Sequence, residues 1–275
     1  MNNSLKEKVM IVNLTISQWG ARKYDRAATK EVEDAHQAKE AGRFNKVLMQ
    51  SDTLNKISKA GSKIRLYHYE NTLPWGDNGD RILPTEKYFE YITQIGTMKM
   101  EFSMLCDQFI AEYEMEKSAS MSRLNSLYKE SDYPQPHTIR AKFDILIGFM
   151  PIAEGNDLRV NMSDEIVNAI KSQITRELES RISNATEDML ERLREAVKHM
   201  ATTLVDKDKV FRDTLVYNIQ GLVENLPCMN FNNDQRVVDA VSFCAGLIVD
   251  PDTLRTNRRF RLEIAAKAQQ ILETI

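Results

Sequence analysis

The stretch from Ser163 to Val205 constrains the fold more than any other part of the chain. It holds neither proline nor glycine, and apolar residues return at Ile166, Ile170, Ile174, Leu178, Ile182, Ala185, Met189, Leu193, Val197, Met200 and Leu204. That is the helical period. One helix of roughly 60 Å follows from a rise of about 1.5 Å per residue. A helix that long, apolar along one stripe and charged elsewhere, is not stable alone in water and must lie against other helices.

Composition narrows the class. At 275 residues with 42% hydrophobic and 28% charged side chains, the chain has enough apolar material for a substantial core. Thirty-seven basic and forty acidic residues leave a net charge of −3, so any nucleic acid or anionic surface would have to be met by a local patch. The early apolar run Val9–Ile16 is broken by Asn13 and Thr15, too short and polar for a signal core or a membrane span. The expectation is a cytoplasmic protein without a membrane partner. Cys106, Cys228 and Cys244 form no C-x-x-C pair and read as free thiols.

Along the chain, residues 9–19 alternate and are rich in β-branched side chains, which reads as a strand. Residues 20–42 show no recurring apolar face and read as a mobile polar loop carrying a weak, solvated helix. A first core helix is expected from about Arg43 to Tyr69, with Gly61 on its apolar side at a cost of about 1 kcal/mol unless a neighbour needs the room. Residues 71–86 (NTLPWGDNGDRILPTE) form a compact turn anchored by Trp75, Ile82 and Leu83. A second helix follows over 86–129, with a seam at Tyr88, Ile95, Phe102 and Phe109 and at Tyr91, Met98 and Leu105. These two helices form an antiparallel hairpin. Residues 139–152 read as a second strand, pairing with the first because isolated strands satisfy their backbone most readily with each other.

After the long helix a break is expected at 206–208. Helices then follow over 209–226 ended by Pro227, over 234–248 capped by Asn232 or Asn233, and from Asp250-Pro251 to the C-terminus. The fold class is mainly α: a long antiparallel helical hairpin and a C-terminal helical bundle with a small two-stranded antiparallel β element. Residues 1–152 and 153–275 are its two parts, within one continuous fold.

Chemistry-bearing motifs are few. The sequence contains no phosphate-binding glycine loop, no H-E-x-x-H, no G-x-S-x-G and no paired cysteine site, and the expectation is a non-enzyme without cofactor, metal or catalytic residue. Asp77 and Asp80 sit where a cation could bind, but the remaining ligands of a calcium loop are missing and turn formation explains them. Tyr67, His68, Tyr69 and Trp75 offer base-stacking rings, with core anchoring as the simpler role. The one concentrated charge is TLRTNRRFRLE. On a continuous helix Arg255, Arg258 and Arg261 fall three apart with Arg259 alongside, suited to phosphates or an acidic helix. The plainer reading pairs them with Glu177, Glu187, Glu191 and Glu195 of the long helix.

The order of LTISQWGARK, TLPWGDNGDRILP, DYPQPHTIRAKF, LRVNMSDE, VKHMATTL, FRDTLVYNI and LPCMNF resembles a family of uncharacterised helical proteins of tailed phages and integrative elements. Genes for MoxR-type AAA ATPases and von Willebrand factor A domain proteins often lie beside members of that family. The resemblance therefore implies a helical accessory of an ATPase-driven system in the host cytoplasm, and it supplies no catalytic residues. Protein–protein interaction is expected through the hairpin tip (Trp75, Asp77, Asp80, Arg81) or the exposed faces of the long helices. The alternative is a nucleic-acid-binding accessory protein of phage replication or recombination using Arg255, Arg258, Arg259 and Arg261. An exposed seam on a long helix can also be buried by another copy of the chain.

Overall fold

The computed structural model describes residues 5–158, 160, 162–206 and 209–275. In chain order the elements are α1 (Leu5–Lys8), β1 (Val9–Ser17), β2 (Arg22–Tyr24), α2 (Arg26–Ala35), β3 (Asn45–Val47), α3 (Asp52–Glu70), β4 (Leu73–Pro74), β5 (Arg81–Pro84) and α4 (Tyr88–Leu124). They continue with α5 (Pro136–Arg140), β6 (Asp144–Met150), α6 (Asp164–Val205), α7 (Thr214–Met229), α8 (Gln235–Ala245), α9 (Pro251–Thr256) and α10 (Arg258–Leu272). The fold is mainly α. Of the break expected at 206–208, Lys207 and Asp208 lie outside the described residues.

Two compact units interleave along the chain. The first comprises Met1–Asn13, His68–Tyr91 and Gly148–Ile275, and the second Leu14–Tyr67 and Ile92–Ile147. A cut near residue 152 therefore separates only part of the first unit from the rest.

In the first unit the core is built on the second half of α6. Ala185, Met189, Leu193, Val197, Met200 and Leu204 are all fully buried and pack with Ile219 of α7, Ala240 of α8 and Ala268 of α10. The first half of the same helix is different: no residue from Asp164 to Asn184 is buried. The reason lies in the spacing. From Ile182 to Leu204 the apolar steps average about 3.7 residues and stay on one face. From Ile166 to Ile182 every step is four, so the row rotates by about 40° per step against a 3.6-residue turn. A single stripe along the whole helix is thus corrected to a buried stripe and a wandering ridge.

The strands expected at 9–19 and 139–152 do become neighbours, in a larger sheet. Its order is β4-β5-β1-β6. β5 lies antiparallel to β1 with Val9 opposite Pro84 and Val12 opposite Arg81, and β4 lies antiparallel to β5 with Leu73 opposite Ile82. The turn sequence around Trp75 is therefore a small β-hairpin. In this unit the end of α3 lies beside the start of α4, where His68 Nδ1 meets the Tyr91 hydroxyl at 2.8 Å. In the second unit the start of α3 lies beside a later turn of α4, where the Thr53 hydroxyl donates to Glu112 at 2.7 Å, which is the antiparallel sense expected of the pair.

Several boundaries move for local reasons. Pro227 does not stop α7, which runs two residues further; in a last turn proline removes only one hydrogen bond. Asp234, not Asn232 or Asn233, caps α8 by accepting from the Arg236 N–H. Asp250 caps α9 with Pro251 at its first position, as expected. The last helix is two helices, because Asn257 closes α9 through its backbone and caps α10 through its side chain.

The second unit contains a separate two-stranded sheet, β2 antiparallel to β3 with Lys23 opposite Lys46. Residues 43–51 are consequently not helical as expected. α3 begins at Asp52, where the Ser51 hydroxyl accepts from the Thr53 N–H at 3.2 Å. The weak helix expected within 20–42 is α2, capped by Asp25. Ile95, Met98, Phe102, Cys106, Phe109 and Tyr113 of α4 are buried. The stripe follows the expected seam to Phe102 and then shifts from Leu105 to Cys106, the drift of a straight helix against a seven-residue repeat. Trp19 packs against Phe109 at 6.0 Å, and Phe143 meets both Phe102 and Phe109 edge-on. Gly61 earns its place: a Cβ there would fall 1.9 Å from the Gln18 side-chain nitrogen.

The most enclosed charges in this unit surround Lys46. Its ammonium lies 3.1 Å from Asp25, 2.5 Å from Asp132 and 2.7 Å from the Leu127 carbonyl. Lys23 adds a 2.8 Å contact to Asp132. One cation thereby ties the strand pair, the N-terminus of α2 and the turn at 130–132 together.

Candidate functional site

The β4–β5 hairpin was the first expected contact surface, and its side chains divide sharply. Trp75 is only 5% exposed and belongs to the core of the first unit, with the Arg181 guanidinium 5.9 Å from its ring. The Trp75 and Gly76 N–H groups both donate to the Asp80 carbonyl, and Gly79 takes a positive φ of 87°. Asp77 is exposed, while Asp80 and Arg81 are half-buried. Trp75 is thus the anchor of the turn, the core role the sequence offers for it, and of the four tip residues Asp77 is the exposed one. Among the described residues no group of three or more His, Cys, Asp or Glu side chains is placed to hold a metal ion.

Beside this hairpin, still within the first unit, a cleft of about 850 Å³ opens against α6 and α7. Two arginines converge in it on Thr72. Arg81 donates from Nε to the Thr72 hydroxyl at 2.7 Å and from Nη2 to its carbonyl at 2.8 Å. Arg192 donates to the same carbonyl at 2.8 Å and pairs with Asp188 at 2.7 Å. The Thr72 hydroxyl in turn donates to the His68 carbonyl at 2.5 Å. Burial and the neighbouring Arg192 draw Arg81 below its ordinary pKa, with Asp188 opposing. Burial, helped by Arg81, pushes His68 down to about 4, so its ring is neutral at neutral pH. Glu70, Asp80 and Glu195 also face the cleft, so carboxylates outnumber guanidiniums there. The arginine donors are largely spent on backbone, and the cleft is a polar recess rather than an anion trap. Sequence reading found Arg81 here but missed Thr72 and the Asp188/Arg192 pair, although their i, i+4 spacing on the long helix was visible.

The arginine row does not form. Arg255 lies on α9, and Arg258, Arg259 and Arg261 lie on α10 beyond the break at Asn257. Arg255 pairs with Asp213 and Asp252. Arg261 donates to the carbonyls of Thr203, Leu204, Asp206 and Lys209, closing the C-terminus of α6 where a cation is electrostatically favoured. Phe211 lies under both guanidiniums, at 5.1 and 5.3 Å. Arg259 pairs with Glu263 on its own helix, and Arg258 is exposed. The expected glutamate partners are engaged elsewhere: Glu177 with Arg181, Glu187 with Arg194 and Arg236, and Glu191 with Arg194.

The first half of α6 leaves a row of apolar side chains partly uncovered. Ile166 is 50% exposed, and Ile170, Ile174 and Leu178 are half-buried. The turn at 155–157 lies close by, where a Cβ on Gly155 would fall 3.2 Å from the Lys171 carbonyl, and toward its far end Leu178 packs against the core. Among the described residues no helix is long and apolar enough to cross a membrane. No protein-family model, no curated protein and no solved structure matches the chain.

Proposed function

We propose that this chain is a non-enzymatic interaction protein of a phage or mobile element that receives a partner helix on the first half of α6. The observation that carries the reading is that about 31 Å of one helix, residues 164–184, contains no buried residue yet bears Ile166, Ile170, Ile174 and Leu178 at four-residue spacing. Such a row is a ridge inclined to the helix axis, suited to a partner helix crossing at about −50°. The resemblance to proteins of tailed phages and integrative elements supports a partner from a MoxR-type ATPase and von Willebrand factor A system. The test is copurification of the tagged chain with that ATPase or its von Willebrand factor A protein from cells that carry them, after nuclease treatment. Recovery by the native chain, lost in an I166D/I170D variant that keeps its melting temperature, supports the proposal. Equal recovery by the variant, or recovery only while nucleic acid is intact, overturns it.

A further inference from the structure

The second unit carries a feature that the proposed function leaves unused. Residues 14–67 hold eleven basic and six acidic side chains, against a chain that is acidic as a whole. Within them, α3 from Thr53 to Tyr67 contains Lys56, Lys59, Lys63 and Arg65 and no acidic residue at all. Ile57 and Ile64 are buried and fix which side of α3 faces inward. At about 100° per residue, Lys56, Lys59 and Lys63 then fall within an arc of about 60° that runs from one flank of α3 to its outward side, and all three are exposed. Among the described residues none of them makes an ion pair, and the acid that Lys56 influences, Glu112, is held by Thr53 and Gln108. Asp52 opens the same helix, where an acid is favoured by the dipole. The arginines of α9 and α10 contrast with this row, because Arg255, Arg259 and Arg261 are spent on partners within the chain.

We propose that the outward lysine row of α3 binds the phosphate backbone of nucleic acid. The row extends over about 10 Å of helix axis, long enough for three ammonium groups to reach successive phosphates of one strand, which rise about 3.4 Å per step along the duplex axis. Asn55 is also exposed on this helix and supplies a neutral hydrogen-bonding group of the kind that accompanies phosphate contacts. Contact of this type reads charge and not sequence.

The experiment is fluorescence anisotropy of the full chain with labelled single-stranded and duplex oligonucleotides between 50 and 200 mM salt. Three phosphate contacts give a log–log slope of about −2.7 on duplex or −2.1 on single strands, so affinity falls roughly 40-fold or 18-fold over that range. A K56E/K59E/K63E variant is expected to bind at least tenfold more weakly with a slope near zero. The K56Q/K59Q/K63Q variant, which keeps the helix and removes only charge, is expected to show the same flattening. An R258E/R259E variant is expected to bind like the native chain. Absence of binding by the native chain at 50 mM salt overturns the proposal, as does an unchanged slope in the lysine variants. Loss of binding in the arginine variant, or binding confined to anionic lipid vesicles, overturns it too. None of these results bears on the apolar ridge of α6, so the two readings fail separately.

Discussion

Replacing Lys46 by methionine keeps the length and most of the volume of the buried stem and removes only the charge. In the native chain the ammonium is almost wholly enclosed and serves two carboxylates and a carbonyl. Hydrogen bonds from the Ala28 N–H and from Lys46 hold Asp25 below its ordinary pKa. Burial opposes the charge on Asp132, but Lys23 and Lys46 outweigh it and its pKa is also lowered. Removing one partner of a buried ion pair costs about 3–5 kcal/mol, chiefly because the other charge stays behind unpaired. Here Asp132 keeps Lys23 and Asp25 keeps its capping bonds, so the lower end applies: about 3 kcal/mol. For a chain of this size that is a fall in melting temperature of roughly 6–12 °C. The pH dependence fixes the cause. A carboxylate with a lowered folded pKa contributes stability that is present above its unfolded value of 3.8 and lost as pH falls through the folded value. The gap between native and K46M is therefore widest near neutrality and closes below about pH 4. Thermal unfolding by circular dichroism at pH 7, 5 and 3 measures it. A loss under 0.5 kcal/mol at pH 7, or a gap that widens toward acid, would show that the lysine is a solvated bystander.

Four further outcomes follow from the geometry. Arg261→Ala removes the carbonyl ties at the end of α6 and is expected to cost about 2 kcal/mol in chemical denaturation, whereas Arg258→Ala is expected to stay within 0.5 kcal/mol. Leu193→Ala leaves a cavity at the centre of the first unit and is expected to cost about 3 kcal/mol, while Ile166→Ala changes stability by less than 1 kcal/mol. His68, with its folded pKa near 4, binds a proton only in the unfolded chain between about pH 6.5 and 4. Stability should decline there by up to about 1.4 kcal/mol per pH unit as pH falls, and His68→Gln should remove that decline. Burial pushes the thiols of Cys106 and Cys244 up to about 11, whereas Cys228 is exposed. Native-state labelling with a thiol reagent should modify Cys228 alone, and rapid labelling of a second cysteine would contradict the packing of α4 or α8.

Elements whose signal is purely local were legible in the sequence. The extent of α6 follows from uninterrupted helical spacing, and the cap at Asp250 from an acid before proline. What escaped was set by partners distant in the chain. Residues 45–47 form a strand because β2 supplies a neighbour and because Lys46 has two carboxylates to reach, neither visible from the apolar pattern of 43–48. Strands β4 and β5 look like a turn in the sequence, since two to four residues carry too little alternation to register. The break at Asn257 was available as a capping residue before RRF, but the regular arginine spacing argued for continuity. The site residues fared similarly: the cleft placed Arg81 against Thr72 and Arg192, a meeting of segments 120 residues apart that no spacing announces. The α3 lysines lack prominence in the sequence, because only the fold shows that among the described residues they make no ion pair.

Hydrogen–deuterium exchange of the chain, alone and with the von Willebrand factor A and ATPase proteins of the same element, tests the central claim most directly. Residues 164–184 should exchange faster than residues 185–205 in the isolated chain, and should gain protection on addition of the partners while the buried half of α6 is unchanged. Protection of 164–184 that rises with the chain's own concentration, or partner-induced protection confined to other segments, would contradict the account.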